Sequence, residues 1–323
     1  MTEDTEEISN YRAHSKRNTF VIVFLGVSML VAAVATLQLD LGSISFEELL
    51  RVIFDKDNPQ NDPADVILVW NLYLPRIVCG ILAGFGLGIA GAVMQCVLRN
   101  PLGSPYTLGL SNAAAFGASV GIVLGGGFIV GQSAAVINYS NPYFIAACAF
   151  AMSMVATTVL ILLVKFTQIS PETMVLAGVA LSSIFSAGIS AMQYIFNDAA
   201  LSLIVFWQFG SLGKAGWDEL KLIAAVVILI SLFFIWKRWD FNALDNGPDV
   251  AQSLGVNVNL LRLGTLLLSA LMTSVVVSFM GVIAFVGLLG PHIVRMVLGN
   301  DHRYILPGSM FVGAIILLVS DCV

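Results

Sequence analysis

Two glycine-rich segments are the candidates for nucleotide chemistry. Segment 86–91 spells Gly-Leu-Gly-Ile-Ala-Gly, a dinucleotide-binding spacing, but it lies inside a long apolar helix rather than at a strand-to-helix turn. Segment 210–214 spells Gly-Ser-Leu-Gly-Lys and lacks the spacer and the following Ser or Thr of a phosphate-binding loop. We therefore expect no catalytic residue and no nucleotide-hydrolysing site, so the protein is not an enzyme. Any energy from ATP would have to come from a partner.

Histidine and cysteine are the candidate metal ligands. The three histidines are His14, His292 and His302, and no second histidine or carboxylate accompanies them at a metal-ligand spacing. The four cysteines lie far apart in apolar runs, as small packing residues do. No metal site and no cofactor is predicted, and His292 is assigned a structural role.

Most of the chain has lipid as its solvent. Of its 323 residues, 58% are hydrophobic and 11% are charged, whereas a soluble domain carries about 25% charged residues. No long basic patch is present, which excludes nucleic acid as a partner. The composition predicts an all-α polytopic membrane protein. The scarcity of ionisable residues inside its apolar runs counts against an ion-coupled carrier.

Apolar stretches of about 20 residues predict nine membrane-spanning helices after an N-terminal tail of residues 1–18. One transmembrane domain, residues 19–323, holds them all. The spans are 19–38, 74–98, 105–127, 143–165, 172–196, 218–236, 262–280, 281–298 and 307–323. Four glycines on one side of the second span, at positions 80, 84, 88 and 91, allow close packing with another helix. The last run stops without a polar flank, so we expect a C-terminally incomplete domain.

The distribution of Lys and Arg predicts the orientation. With a cytoplasmic N-terminus, ten of the 15 basic residues fall on the cytoplasmic side and five fall outside, as the positive-inside tendency requires. The cytoplasmic set is at positions 12, 16, 17, 99, 165, 237, 238, 262, 295 and 303, and the outer set is at 51, 56, 76, 214 and 221.

Two polar elbows interrupt the apolar helices on the predicted cytoplasmic side. Lipid tolerates such an elbow only at the membrane edge or where protein or water covers the freed backbone groups. The elbows therefore favour a transporter over a passive anchor. The first consists of Arg99, Asn100, Pro101, Leu102 and Pro105, and the second of Pro291, His292 and Arg295.

The long cytoplasmic segment 237–262 contains a predicted short helix. Pro248 and Asp249 suit a first helical turn, and Gly255 suits a stop position. Val250, Ala251 and Leu254 can form a small apolar face. We interpret this helix as a docking surface for a cytoplasmic subunit. An ordinary surface helix is the alternative.

A series of motifs along essentially the whole chain resembles the permease subunits of type II ABC importers for iron–siderophore, haem and vitamin B12, the FecCD/BtuC-like family. The motifs, in order, are Leu74-Pro75-Arg76, Gly91 through Gln95 to Arg99-Asn100-Pro101-Leu102, Trp207-Gln208-Phe209-Gly210-Ser211-Leu212, Ala251-Gln252-Ser253-Leu254-Gly255-Val256, Phe285 through Gly287 to Pro291-His292 and Arg295, and Asp301-His302-Arg303.

The resemblance implies a BtuC-like bundle of ten helices, of which nine are visible. It implies a partner permease in a homo- or heterodimer, two cytoplasmic ATPase subunits and an extracytoplasmic binding protein, all at the cytoplasmic membrane of a prokaryote. It places ATPase docking on Pro248, Asp249, Ala251, Gln252, Leu254, Gly255 and Val256. Arg76 would contact the binding protein, although Tyr73 replaces a neighbouring family arginine.

The expected cargo is an iron–siderophore chelate. Cobalamin and haem are the alternatives within the family. An ion-coupled secondary transporter and a membrane scaffold without transport are the alternatives from other classes.

Overall fold

The computed structural model describes residues 2–41, 44–125, 141–167 and 171–322, and within these ranges the chain folds into helices joined by short turns. A five-residue π-helical turn, Val69–Tyr73, joins the helix Pro63–Leu68 to the helix Leu74–Val97. The helices are α1 (Thr2–Asp40), α2 (Phe46–Phe54), α3 (Pro63–Leu68), α4 (Leu74–Val97), α5 (Leu110–Gly125), α6 (Pro142–Thr167), α7 (Pro171–Ile195), α8 (Asp198–Gln208), α9 (Trp217–Trp236), α10 (Arg238–Asp245), α11 (Pro248–Ser253), α12 (Val258–Met280), α13 (Val286–Leu298) and α14 (His302–Asp321).

The all-helical membrane fold is confirmed. Within the described ranges, seven helical stretches are long and apolar enough to cross a membrane, and each overlaps a predicted span. Residues 2–18, expected as a tail, are helical and continue directly into the first span as α1. The seven stretches are Arg12–Asp40, Pro63–Val97, Pro142–Leu163, Thr173–Ile195, Trp217–Trp236, Val258–Met280 and His302–Asp321.

The two remaining predicted spans are shorter helices. The span predicted at 105–127 is the 16-residue helix α5, because a turn ending at Gly109 (φ 83°) precedes it; residues 126 and 127 lie outside the described ranges. The span predicted at 281–298 is the 13-residue helix α13, which begins only after residues 281–285. Hydropathy does not locate the first residue of either helix. For α13 the reason is that the preceding residues 281–285 are as apolar as those within a membrane helix.

Helix α4 is the centre of the bundle. Of its most apolar stretch, 83% of the residues are buried, against 22% for α1 and 17% for α7. It packs against α14, α13, α12 and α9. This burial explains why α4 is rich in glycine and alanine, because neighbouring backbones approach it on several sides.

The predicted glycine stripe of α4 makes these close contacts. A Cβ added at Gly84 would lie 2.3 Å from the backbone of Ala314, and one at Gly88 would lie 2.1 Å from the carbonyl oxygen of Ser309, both in α14. At Gly91 an added Cβ would meet the backbone of Gly287 in α13. Gly80 faces side chains instead, those of Leu212 and Leu318. The packing interpretation of these glycines is confirmed.

The bundle has two distinct ends. We call the end that carries residues 98–109 and 237–257 the elbow end, and the other, which carries α2 and residues 209–216, the opposite end. Cys96 of α4 contacts the Phe241 carbonyl at the elbow end, and Trp217 bonds to the Trp70 carbonyl at the opposite end. The ten basic residues predicted for one side lie toward the elbow end, and the five others lie toward the opposite end.

A substitution of Gly84 tests the packing of α4 on α14. We expect Gly84→Ala to destabilise the protein by about 1–3 kcal/mol, since the new methyl group meets backbone atoms that cannot rotate away. Gly264→Ala is the matched control, because Gly264 is also helical but has no atom within 4 Å of an added Cβ. Thermal unfolding in detergent should show a lower Tm for Gly84→Ala alone. Equal Tm values for both variants would contradict this packing.

Candidate functional site

The first elbow lies where it was predicted, at the end of α4. Arg99 has a left-handed backbone (φ 45°), which turns the chain away from the helix. The Asn100 backbone N–H donates to the Gln95 carbonyl (3.1 Å), and the Asn100 side chain accepts from the Leu102 N–H (2.9 Å). Pro101 and Pro105 follow within the same turn. The backbone groups freed by the break are therefore bonded locally, as the membrane edge requires.

The second elbow was predicted at the wrong residues. Pro291, His292 and Arg295 lie inside helix α13 and do not form a turn. The break lies earlier, at residues 281–285, where Gly281 (φ 82°) and Phe285 (φ 65°) have left-handed backbones. The Pro–His pair resembles an elbow in sequence because proline removes one helical hydrogen bond. That loss alone does not end a helix whose freed carbonyl finds another partner.

The side chain of Gln95 supplies that partner. Proline at 291 cannot donate to the Gly287 carbonyl, and the Gln95 amide of α4 lies 3.5 Å from this oxygen and 3.4 Å from the Leu288 carbonyl. Arg295 donates in turn to the Gln95 side-chain oxygen. Gln95 is almost fully buried. It therefore joins α4 to α13 by polar contacts, one helical turn along α4 from the contact between Gly91 and Gly287.

The predicted docking helix is present as α11. Its N-terminus follows Gly247 (φ 117°), and Pro248 occupies the first turn. Gly255 (φ 84°) ends it: the Gly255 N–H donates to the Gln252 carbonyl (2.9 Å) and the Val256 N–H donates to the Ala251 carbonyl (3.0 Å). This pair of bonds is a Schellman motif, which fixes the direction in which the chain leaves the helix.

The predicted apolar face of α11 is divided in two. Ala251 is 0% exposed and packs on the bundle, whereas Leu254 is 68% and Val250 43% exposed. Asp249 and Gln252 are exposed as well. Ala251 therefore anchors the helix and cannot itself contact a partner, which corrects its place among the docking residues. The surface offered to a partner is centred on Leu254.

Helix α10 holds this segment to the bundle. The Asn242 side chain donates to Asp301 (3.0 Å), the N-cap of α14, and accepts from the His302 backbone N–H (2.8 Å). One step along, His302 Nε2 lies 2.9 Å from Asp245 Oδ2. Arg303 pairs with Asp301 at 2.6 Å. The docking helix is thus connected to the start of α14 by a chain of polar contacts.

Two carboxyl groups in this chain of polar contacts, those of Asp245 and Asp301, have lowered pKa values. Burial raises the pKa of Asp245, but the hydrogen bond and charge of His302 outweigh this and leave the pKa below its usual value. Burial acts in the same way on Asp301, and hydrogen bonds from Arg303 and Asn242 lower its pKa below the usual value. Both groups are therefore ionised at neutral pH.

Sequence reasoning missed three members of this region. Asn242 and Asp245 lie in α10, a helix with no recognisable motif, and Gln95 appeared only as part of a longer motif. The available signal was Asp301-His302-Arg303, whose polar residues open an otherwise apolar span. The structure also brings Cys96 next to Asp245 and His302, with the potential ligand atoms of all three within 4.8 Å of one another. Three distant segments contribute these residues, so no spacing in sequence announces the cluster.

Arg76 lies at the opposite end and has internal partners. Its Nε is 2.6 Å from Asp321 Oδ2, and its Nη1 is 3.9 Å from Asp40 Oδ2. The Arg76 side chain is 33% exposed. It therefore presents part of its guanidinium to the outside while joining α4 to α14 and α1.

The geometry combines a buried glycine-rich central helix with, at its elbow end, a polar elbow and a short helix that carries an exposed leucine. The sequence profile of the FecCD transport family matches residues 17–323. The chain belongs to this family. As a FecCD permease it is the membrane subunit of a type II ABC importer, a class that works together with ATPase and other transporter subunits. The family assignment therefore favours an ATP-driven transporter over the alternative of an ion-coupled carrier.

Relatives and a solved structure agree with this assignment. The FecCD permease is 40% identical to a Methanocaldococcus jannaschii protein named as an ABC transporter permease, over 96% of this chain and 88% of the relative. It is 31% identical to a Yersinia pestis hemin transport system permease, over 92% and 85% of the two chains. A metal-chelate type ABC transporter solved in an inward-facing conformation gives a TM-score of 0.77 at 28% identity, covering 94% and 90% of the chains.

Removal of the Asn242 side chain tests the connection between α10 and α14. We expect Asn242→Ala to destabilise the permease by about 1–3 kcal/mol, because Asp301 and the His302 N–H lose a partner in a partly buried place. Asn259→Ala is the matched control at an exposed position of the same end. It should change stability by less than about 0.5 kcal/mol. Thermal unfolding of both variants in detergent measures the difference; a Tm for Asn242→Ala as high as that of the control would refute the connection.

Proposed function

We propose that this permease moves an iron–siderophore chelate across the cytoplasmic membrane of a prokaryote. A partner permease, which is either a second copy or a homologous chain, completes the channel. Two cytoplasmic ATPase subunits drive the channel between its open states, and an extracytoplasmic binding protein delivers the chelate. The permease performs no covalent chemistry on its cargo.

The exposed apolar surface of α11 is the observation that supports the ATP-driven part of the proposal. Leu254, 68% exposed, and Val250, 43% exposed, form a small apolar surface on this short helix. A partner that covers this surface would gain free energy by removing it from water. The Schellman motif at Gly255 sets the direction in which the chain leaves the helix, and the buried Ala251 holds the helix to the bundle. A partner that displaces α11 would also act on α10, which packs against it.

The charge distribution supports an orientation with the elbow end in the cytoplasm. Cytoplasmic faces of membrane proteins carry an excess of Lys and Arg, and ten of the 15 basic residues lie toward the elbow end. The ATPase subunits are cytoplasmic, so this orientation presents Leu254 to them. The N-terminus of α1 lies at the same end and is therefore cytoplasmic.

The helices at the periphery leave apolar faces on which a partner permease could pack. The most apolar stretches of α1 and α7 are only 22% and 17% buried, so they meet lipid or another subunit. We assign the further subunit by family resemblance, since lipid alone also covers apolar helix faces.

The names of relatives support an iron chelate as cargo. Beside the hemin permease, relatives are named for Fe(3+)-citrate and ferric enterobactin. Others are named for vitamin B12 and molybdate. Iron compounds are the commonest of these cargoes, which favours iron–siderophore and keeps haem and cobalamin as the alternatives.

Uptake into proteoliposomes tests the whole proposal. The permease is reconstituted with its ATPase and binding protein, and uptake of labelled iron–siderophore, haem, cobalamin and molybdate is measured with and without ATP. We expect ATP-dependent accumulation of the iron chelate. Accumulation of another cargo alone would replace the cargo assignment. Uptake that follows an ion gradient and ignores ATP would overturn the transport mechanism.

Leu254 is the most direct test of ATPase docking. We expect Leu254→Asp to abolish ATPase association and uptake, since a charge would be buried in an apolar contact. The Tm should remain unchanged, because Leu254 is exposed. Phe54→Asp is the control: Phe54 is 84% exposed on α2 at the opposite end. Co-purification of the ATPase without the binding protein separates the two variants. Normal co-purification with Leu254→Asp would remove α11 from the interface.

Arg76 requires a variant pair because it has internal partners. We expect Arg76→Gln to weaken binding-protein affinity by about 0.2–1 kcal/mol, the usual value of an exposed ion pair. Asp321→Asn breaks the same internal bridge but keeps the arginine, so it should leave the affinity intact. Surface plasmon resonance with the reconstituted permease measures both. Equal losses in the two variants would show that Arg76 acts only within the chain.

A further inference from the structure

We propose that Cys96, Asp245 and His302 form a binding site for one thiophilic divalent transition-metal ion, such as Zn²⁺ or Co²⁺. The site lies at the elbow end, between the last turn of α4, the end of α10 and the first residue of α14. The three side chains offer sulfur, oxygen and nitrogen, the donor set of zinc sites.

The spacing of the donors suits a small tetrahedral ion. Their potential ligand atoms all lie within 4.8 Å of one another. Bonds of about 2.0–2.3 Å in a tetrahedral site separate ligand atoms by about 3.3–3.8 Å. Side-chain movements of about 1 Å or less therefore bring the three donors into coordination. Water from the elbow end supplies the fourth ligand.

His302 has an unused ring nitrogen. Its side chain is fully buried, and Nε2 lies 2.9 Å from Asp245. The other nitrogen, Nδ1, is buried and has no hydrogen-bond partner among the described residues. A buried polar atom without a partner costs about 1–3 kcal/mol. One nitrogen of this imidazole can therefore take an ion while the other keeps or gains a hydrogen bond, as in many histidine–metal sites.

Access and donor chemistry define which ions fit. Cys96 and His302 are buried, whereas the Asp245 side chain is 33% exposed, so an ion enters past Asp245. Cys96 and His302 offer a sulfur and a nitrogen donor, whereas Mg²⁺ and Ca²⁺ prefer oxygen ligands alone. The site therefore selects ions that form strong bonds to sulfur over Mg²⁺ and Ca²⁺.

An occupied site would tie α4, α10 and α14 together at one point. Cys96 Sγ contacts the Phe241 carbonyl at 3.6 Å, and α10 is held to α14 by hydrogen bonds. Metal–ligand bonds would add α4 directly to this connection. The ion would then stiffen the support of α11 against the central helix.

Metal content of the purified full-length permease tests the site. The protein carries a tag without histidines, is incubated with Zn²⁺ in excess Mg²⁺, and is desalted before elemental analysis. We expect about one retained zinc ion per chain, and loss of affinity by more than about tenfold in Cys96→Ala and Asp245→Asn. Cys79→Ala, a buried cysteine in the same helix, is the control and should retain the ion.

Cobalt supplies a second readout that a change in folding cannot imitate. Co²⁺ bound to a thiolate gives a sulfur-to-metal charge-transfer band, which should appear in the wild type and Cys79→Ala and be absent in Cys96→Ala. The Asp245→Asn variant covers the case in which Cys96→Ala does not fold, because it changes an exposed group without changing volume. No retained zinc in the wild type, or the same zinc content and cobalt band in Cys96→Ala, would overturn the proposal.

Discussion

Every break in a helix that lies in lipid needs a new partner for the backbone groups it frees, and this requirement organises the interior of the permease. The carbonyl freed by Pro291 faces Gln95. At the end of α12, the Met280 carbonyl accepts from the Ser211 N–H at 2.7 Å. At the elbow, Asn100 bonds to the backbone on both sides of the turn. The partners of the Gly287 and Met280 carbonyls come from other segments, whereas those at the elbow lie within the turn itself. At the first two sites the helix packing therefore has to match the position of the break.

The docking helix α11, at the elbow end, also depends on contacts with neighbouring segments. Helix α11 is too short to be stable by itself, and its position is fixed by a Schellman motif, a buried alanine and the contacts of α10. Asn242 and His302 then connect α10 with the start of α14, which packs along α4. The exposed Leu254 is therefore connected to the central helix α4 through a series of packed helices, α11, α10 and α14.

The sequence predicted the features that depend on composition and local pattern. Apolar length identified the long spans, proline and glycine identified α11, and the glycine spacing of α4 identified its packing face. It placed a boundary between two spans at residues 280 and 281 but assigned residues 281–285 to the next helix, because Val282, Ile283 and Ala284 are as apolar as helix residues. It also could not reveal the Gln95 contact with α13 or the grouping of Cys96 with His302, since such contacts between distant segments follow from the fold.

The glycine contacts of α4 also have a chemical consequence. An added Cβ at Gly88 would lie 2.1 Å from the Ser309 oxygen, so the hydrogen that occupies this direction in glycine points at that carbonyl. The same holds at Gly91, whose α-hydrogen points at the Gly287 oxygen. Such Cα–H···O contacts contribute about 0.5–1 kcal/mol each. The central helix is thus held by weak backbone hydrogen bonds that no side chain supplies, and any larger residue would remove the donor together with the space.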